Sequence, residues 1–250
     1  MRIAGQLTRS THRRFASLAQ RTRDAARLVL AATGLALAGQ PGRAATCEVN
    51  AGAQAPAVIE LYTSQGCSSC PPADRWLSTL KDQPGVIALG FHVTYWDHLG
   101  WTDPFATPQT TRRQYQVRDA TGARSVYTPQ VVLNGADLRV WHGLRADQLK
   151  APSVQAAPRL RITQDGRQVT AQIGAVTGPG RWAGYWAVLE DGHSSRVRAG
   201  ENAGSMLQHD HVVRLYRPAS DWNAADGLKA RLTLPATTPG QPRRIASTTG

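Results

Sequence analysis

Cys67 and Cys70, separated by two serines, lie in the stretch IELYTSQGCSSCPPADRW (59–76), where an apolar run gives way to a helical pattern. Such a pair can carry out thiol–disulfide exchange, supply half of a metal site, or staple the chain. At the start of a helix, free amide N–H groups and the helix dipole favour a thiolate on Cys67 and make it the attacking sulfur. Cys70, about one helical turn on, is placed to resolve the mixed disulfide. A structural zinc site needs two further ligands, and the chain has no second C-x-x-C; His92, His98 and His142 are the available supplements. His209 and His211 fall on one face of an extended segment, but two ligands do not make a metal site, and they read as a structural or surface pair.

The elements that must position the pair follow from periodicity. AVIELYT (57–63) reads as a buried strand, and PPADRWLSTLKDQ (71–83) as a helix opened by prolines, with Trp76, Leu77 and Leu80 on one face. VIALGFHV (86–93) is a second strand, TPQTTRRQYQVRDATG (107–122) a second helix closed by Gly122, and PQVVLNGADLRVW (129–141) a hairpin turning at Asn134-Gly135. RADQLKAPSV supplies a last short helix. This order predicts a mixed sheet flanked by helices. After Pro158 the texture changes to short alternating segments between turn residues, which predicts a small all-β, sandwich-like domain. The expected layout is a basic leader over 1–45, a linker over 46–56, an α/β domain over 57–152 and a β-rich domain over 158–250 ending in a disordered tail.

The strings ELYTSQGCSSCPPAD, FHVTYWDHLGWTDPFA, RRQYQ and YTPQVVLNG resemble an uncharacterised family of exported bacterial thioredoxin-like proteins, as does GENAGSMLQHDHVVR (200–214) towards the carboxy terminus. The resemblance implies a thioredoxin-like fold over 57–151. It also implies that Thr128-Pro129 is the cis X-Pro step that faces the cysteines in such folds, where the missing N–H leaves neighbouring backbone groups open to a substrate strand. Glu60, seven residues before Cys67, is implied as the buried acid that relays a proton to the resolving thiol. A surface or hydrogen-bonded structural glutamate is the alternative. The family's pattern HVDYWD has Asp where this chain has Thr94, which puts any polar role of that position in doubt.

FHVTYWDHLGWTDPFA (91–106) is too aromatic and too punctuated for an ordinary crossover. Trp96, Trp101 and Phe105 are expected to wall the cysteine cleft, with Thr128, His92 and Asp97 as further groove candidates; the competing reading is a satellite cluster packing a long insertion.

The formal charge of +12 is lopsided: the first 45 residues hold +7 of it, leaving +5 for the rest. That balance makes a mildly basic domain and no nucleic-acid groove. An Arg-rich start followed by LVLAATGLALA (28–38) and small residues reads as an export signal, with cleavage after Ala38 or Ala44 and no transmembrane span in the mature chain. Export to the periplasm or beyond puts the three cysteines, Cys47 included, in an oxidising compartment.

Three functions remain. The first is a thiol–disulfide oxidoreductase acting on protein thiols or disulfides of the cell envelope, which needs no organic cofactor and no metal. The second is a copper(I) handler using the two thiolates with help from His92, against which the mature chain offers a single distant methionine, Met206. The third is a binding module in which the pair is only a structural disulfide.

Overall fold

The strand run from Ala57 to Thr63 is buried at every position but the half-buried Val58. The structure, a computed structural model, describes residues 45–49, 55–152, 158–177 and 180–249. The predicted leader and its cleavage points lie outside the described residues. In chain order the elements are β1 (Ala45–Val49), β2 (Ala57–Thr63), α1 (Pro71–Ser78), β3 (Val86–His92), a 3-10 segment (Thr94–Leu99), α2 (Pro108–Thr121), β4 (Gln130–Leu133), β5 (Ala136–Asp137) and a short 3-10 turn (Ala146–Gln148). They continue with β6 (Leu160–Asp165), β7 (Gln168–Ile173), β8 (Arg181–Trp182), β9 (Gly184–Glu190), β10 (His193–Arg196), β11 (Met206–His209), β12 (Val212–Pro218), β13 (Trp222–Asn223), β14 (Leu228–Thr233) and β15 (Arg243–Thr249).

The predicted strands and helices of the first half are present, and the local chemistry explains their ends. Pro71 and Pro72 open α1, where their missing N–H groups cost no hydrogen bond. Thr107 and Thr110 form a reciprocal capping box at the start of α2, and Gly122 ends it with φ of 68°. The hairpin turns at Asn134 and Gly135, both at positive φ, as a tight I′-type turn requires. The predicted helix over 145–154 is reduced to the 3-10 turn Ala146–Gln148.

The second half departs from expectation. Residues 42–250 form one compact unit, and the main sheet has seven strands in the order β15-β9-β12-β3-β2-β4-β5. Three strands from beyond the expected boundary at 152–158 therefore extend the sheet built by the first half. β2 and β3 are parallel, β12 joins β3 in parallel, and β9 and β15 continue antiparallel. The segment expected to be a disordered tail is β15, and the expected linker contains β1, which pairs with β6. A sandwich-like layer does exist: the antiparallel sheet β1-β6-β7-β14 packs Val169, Ala171 and Leu232 against Trp186 and Val188 of β9.

Alternation along β2 sorts the core into two sides. Ala57, Ile59 and Leu61 pack with Ala73, Trp76 and Leu77 of α1. Tyr62 and the half-buried Val58 face the other way, towards Val117 of α2, Tyr185 and Leu189 of β9 and Val213 of β12. The sequence could not reveal this arrangement because a short apolar strand fits an edge of one sheet as well as the middle of another.

Candidate functional site

Cys67 and Cys70 form a disulfide with Cα atoms 5.5 Å apart, in the loop between β2 and α1. Cys70 occupies the N-cap of α1, and the loop is turned by hydrogen bonds from Cys67 N to Ser64 O and from Cys70 N to Cys67 O. Both cysteines are fully buried. Their loop is held by residues distant in sequence, in the strap 199–205 between β10 and β11. Asn202 Nδ2 donates to the carbonyls of Gln65 (2.9 Å) and Cys67 (2.8 Å). Glu201 Oε2 accepts from Ser68 N (2.8 Å) and Ser68 Oγ (2.7 Å), which holds the Glu201 carboxyl below the usual carboxylate range. Gly200 takes φ of 75°, a conformation that favours glycine, and a Cβ there would be in ordinary contact with Gly66 Cα at 3.7 Å.

The insertion after β3 closes a second side. A Cβ on Gly66 would stand 3.0 Å from Trp96 Cβ and 3.3 Å from Trp96 O, so any larger residue would have to push Trp96 away from the cysteine loop by a few tenths of an ångström. The Trp96 indole N–H donates to Thr128 Oγ1 (2.8 Å), joining that loop to the Thr128-Pro129 step, which is cis. Fully buried Gln114 of α2 donates to Tyr127 O (2.8 Å) and accepts from Tyr95. Burial pushes the Tyr95 phenol up to about 12. Thr94 bonds Thr111 of α2 through both its N–H and its hydroxyl, so in this chain the position ties the insertion to α2.

Behind the disulfide, on the α1 side of the sheet, lies a buried polar cluster. His92 Nδ1 is 2.7 Å from Asp103 Oδ2, both groups fully enclosed. Burial disfavours a charged His92, but the Asp103 carboxylate outweighs it and raises the imidazole above its ordinary value. Burial likewise works against an ionised Asp103, yet His92 and the N–H groups of Gln65 and Phe105 hold its carboxyl below the usual range. Asp97 accepts from Asp103 N (3.1 Å), and partial burial raises its carboxyl. The Trp101 indole donates to Gln65 Oε1 (2.9 Å), and Gln65 Nε2 meets His209 Nε2 (3.2 Å). Asp74 of α1, four residues after Cys70, accepts from Thr63 Oγ1 (3.1 Å) and has Oδ1 at 3.8 Å from His209 Nδ1.

The structure thus sets Trp96 and Trp101 against the loop of Cys67 and Cys70, and links Thr128 to it through Trp96 and both His92 and Asp97 through Asp103, with Pro129 following Thr128. It does not bring Glu60 there. Glu60 belongs to the β2 face opposite α1, where Arg113 pairs with its carboxylate (2.7 and 3.1 Å) and the Tyr185 (2.9 Å) and Tyr62 hydroxyls donate to it. It lines a cleft of about 530 Å³ with Arg113, Tyr185 and Tyr216 that includes neither cysteine. The structural alternative for Glu60 is the one its geometry matches. His209 and His211 also part company, because β11 ends at His209 and His211 takes φ of 58°. His211 lies against Asp191 and Arg244 instead, and burial lowers its imidazole to about 4. His98 is exposed against Tyr95 O, and His142 stacks on Trp141, so neither supplements the cysteines.

Sequence reasoning missed Gln65, Asp74, Asp103, Glu201, Asn202 and the inward role of His209. Their signals were present: Asp74 ends the CPPAD string, and Glu201 and Asn202 sit in GENAG, which marked the family resemblance without showing what it touches.

Comparison with solved structures finds an X-ray crystal structure of an Agrobacterium tumefaciens protein, 32% identical, with a TM-score of 0.54 and covering 73% of this chain and 80% of that one. HBP35 of Porphyromonas gingivalis matches at 13% identity and a TM-score of 0.41, covering 80% of this chain and 65% of its own. No curated protein matches. The family described as a protein of unknown function, DUF1223, matches residues 58–247, a span that runs from β2 through the strap to β15, and the chain belongs to that family.

Proposed function

We propose that the protein is an exported thiol–disulfide exchange protein of the cell envelope, thioredoxin-like over residues 57–152. The observation that carries this reading is the bridged Cys67–Cys70 pair at the start of α1, with the Thr128-Pro129 step fastened to the same loop through Trp96. In the oxidising direction, a substrate thiolate attacks Cys67 Sγ, the Cys67–Cys70 bond breaks, and Cys70 leaves as a thiolate. A second substrate thiolate then attacks the mixed disulfide and releases Cys67 as a thiolate. The substrate loses two electrons and the pair gains them. In the reducing direction Cys67 attacks and Cys70 resolves. Thr128, Pro129 and Trp96 line the approach, and the strap 199–205 has to lift before a partner sulfur can reach Cys67.

A second reading, a structural disulfide in a binding module, is favoured by the complete burial of both cysteines. Equilibration of the purified mature chain in glutathione buffers of graded potential separates the two. Exchange predicts a reversible transition in the range of catalytic pairs, above roughly −270 mV, and a Cys70→Ser variant that traps mixed disulfides through Cys67. A pair that stays oxidised below about −300 mV, with nothing trapped, establishes the staple.

A further inference from the structure

The polar cluster behind the disulfide holds a combination that neither exchange nor folding accounts for. One ligand atom from each of Asp74, His92 and His209 lies within 4.8 Å of the others, and all three residues are buried. They come from α1, β3 and β11, so their spacing is set by the sheet and its packing and not by one flexible loop. The Asp74 carboxylate accepts a single hydrogen bond among the described residues, from Thr63, although removal from water makes an uncompensated carboxylate costly.

His209 supplies an independent observation. It is 2% exposed, and its Nδ1 has no hydrogen-bond partner. The Trp101 indole, a donor only, fixes Gln65 Oε1 towards itself, so Gln65 Nε2 donates to His209 Nε2. The ring proton of His209 therefore sits on Nδ1, 3.8 Å from Asp74 Oδ1 and without an acceptor. Across a tetrahedral zinc, with bonds of about 2.0–2.2 Å, a nitrogen and an oxygen ligand stand roughly 3.4 Å apart. The His209–Asp74 gap closes to that value with a shift of a few tenths of an ångström, and the widest separation in the cluster, up to 4.8 Å, with a shift of a little over one. His92 is prepared in the manner of a metal ligand: Asp103 takes its Nδ1, which fixes the ring and leaves Nε2 as the coordinating nitrogen.

We infer that Asp74, His92 and His209 form a binding site for a divalent transition metal of the zinc class, with Asp103 as the carboxylate that orients His92. Two imidazoles and one carboxylate suit zinc and leave a fourth position for water. The two carboxylates, Asp74 and Asp103, offset the charge of the ion. Neither thiolate takes part, which separates this site from copper(I) capture by the cysteines, and it does not rest on the exchange reading. Coordination at His209 Nδ1 moves the ring proton to Nε2. Gln65 must then turn its carboxamide oxygen towards His209 and release the Trp101 indole.

The test uses the full mature chain with the disulfide intact, stripped of metal and titrated with Zn²⁺ by calorimetry. One zinc per chain is expected, with His209→Ala and Asp74→Asn weakening binding at least tenfold and Asp103→Asn weakening it about tenfold through misorientation of His92. His211→Ala, outside the cluster, binds as the wild type does. The Trp101 indole N–H resonance, assigned with Trp101→Phe, shifts on saturation. X-ray absorption on the wild-type chain decides the case without any substitution: two imidazoles with light-atom ligands support the site. A sulfur ligand, absence of stoichiometric binding, or unweakened binding by both His209→Ala and Asp74→Asn overturns it.

Discussion

At the scale of single residues, the pairing of Cys67 with Cys70 was legible because it depends on spacing along the chain, and the choice between the two readings of Glu60 was not, because it depends on direction. Residues 58, 60 and 62 face away from residues 57, 59 and 61, and the sequence does not say on which side α1 will pack. A buried glutamate near a C-x-x-C is therefore equally compatible with a proton relay and with an ion pair. The partner that decides between them, Arg113, lies 53 positions away. Removing it should be severe, since Glu60 is 4% exposed and would be left buried without its counter-ion. Arg113→Ala is expected to lower unfolding stability by about 3 kcal/mol in urea titration. The double variant Glu60→Gln/Arg113→Ala should recover part of that loss, because no buried charge is left unpaired. A single variant within 1 kcal/mol of the wild type, roughly the value of an exposed pair, would show that solvent reaches the ion pair freely.

At the scale of elements, the strap 199–205 is tied to the cysteine loop. Its hold is specific: two hydrogen bonds from Asn202 to backbone carbonyls and two from Ser68 to a carboxylate. If strap opening limits access, Glu201→Gln and Asn202→Ala should each speed reduction of the disulfide by a water-soluble phosphine, with the larger effect from Asn202, whose two bonds are buried while those to Glu201 are exposed to solvent. Both variants should keep the wild-type far-ultraviolet circular dichroism. Unchanged reduction rates would show that the sulfurs are reached by another route. The first-half elements were readable because each carries its own start and stop signals, such as the Thr107 capping box and the Asn134-Gly135 turn. The strap carries none, since its function lies in contacts made more than 130 positions away.

At the scale of the whole molecule, the expected boundary near 152–158 failed for a reason that belongs to sheets. Hydrogen-bonding edges are open on both sides, and β12 adds to the edge of β3 that an isolated first half would leave bare. The core repeats the point: Tyr62, Leu89 and Phe91 pack with Tyr185, Ala187, Leu189 and Val213 from the second half. A fragment ending at residue 152 is therefore expected to lack a cooperative thermal transition and to aggregate. The full chain should unfold in one transition with coincident circular dichroism and fluorescence traces. A soluble, cooperatively folding 57–152 fragment would contradict the shared core.

The separation in sequence between the disulfide and the strap has a consequence in time. A ribosome makes residues 67 and 70 long before residues 199–205, so every newly made chain passes through a period in which the pair exists and the strap does not. During that interval the hydrogen bonds that tie Asn202 and Glu201 to the cysteine loop are not yet made, and the strands that bring the strap into place decide when it ends.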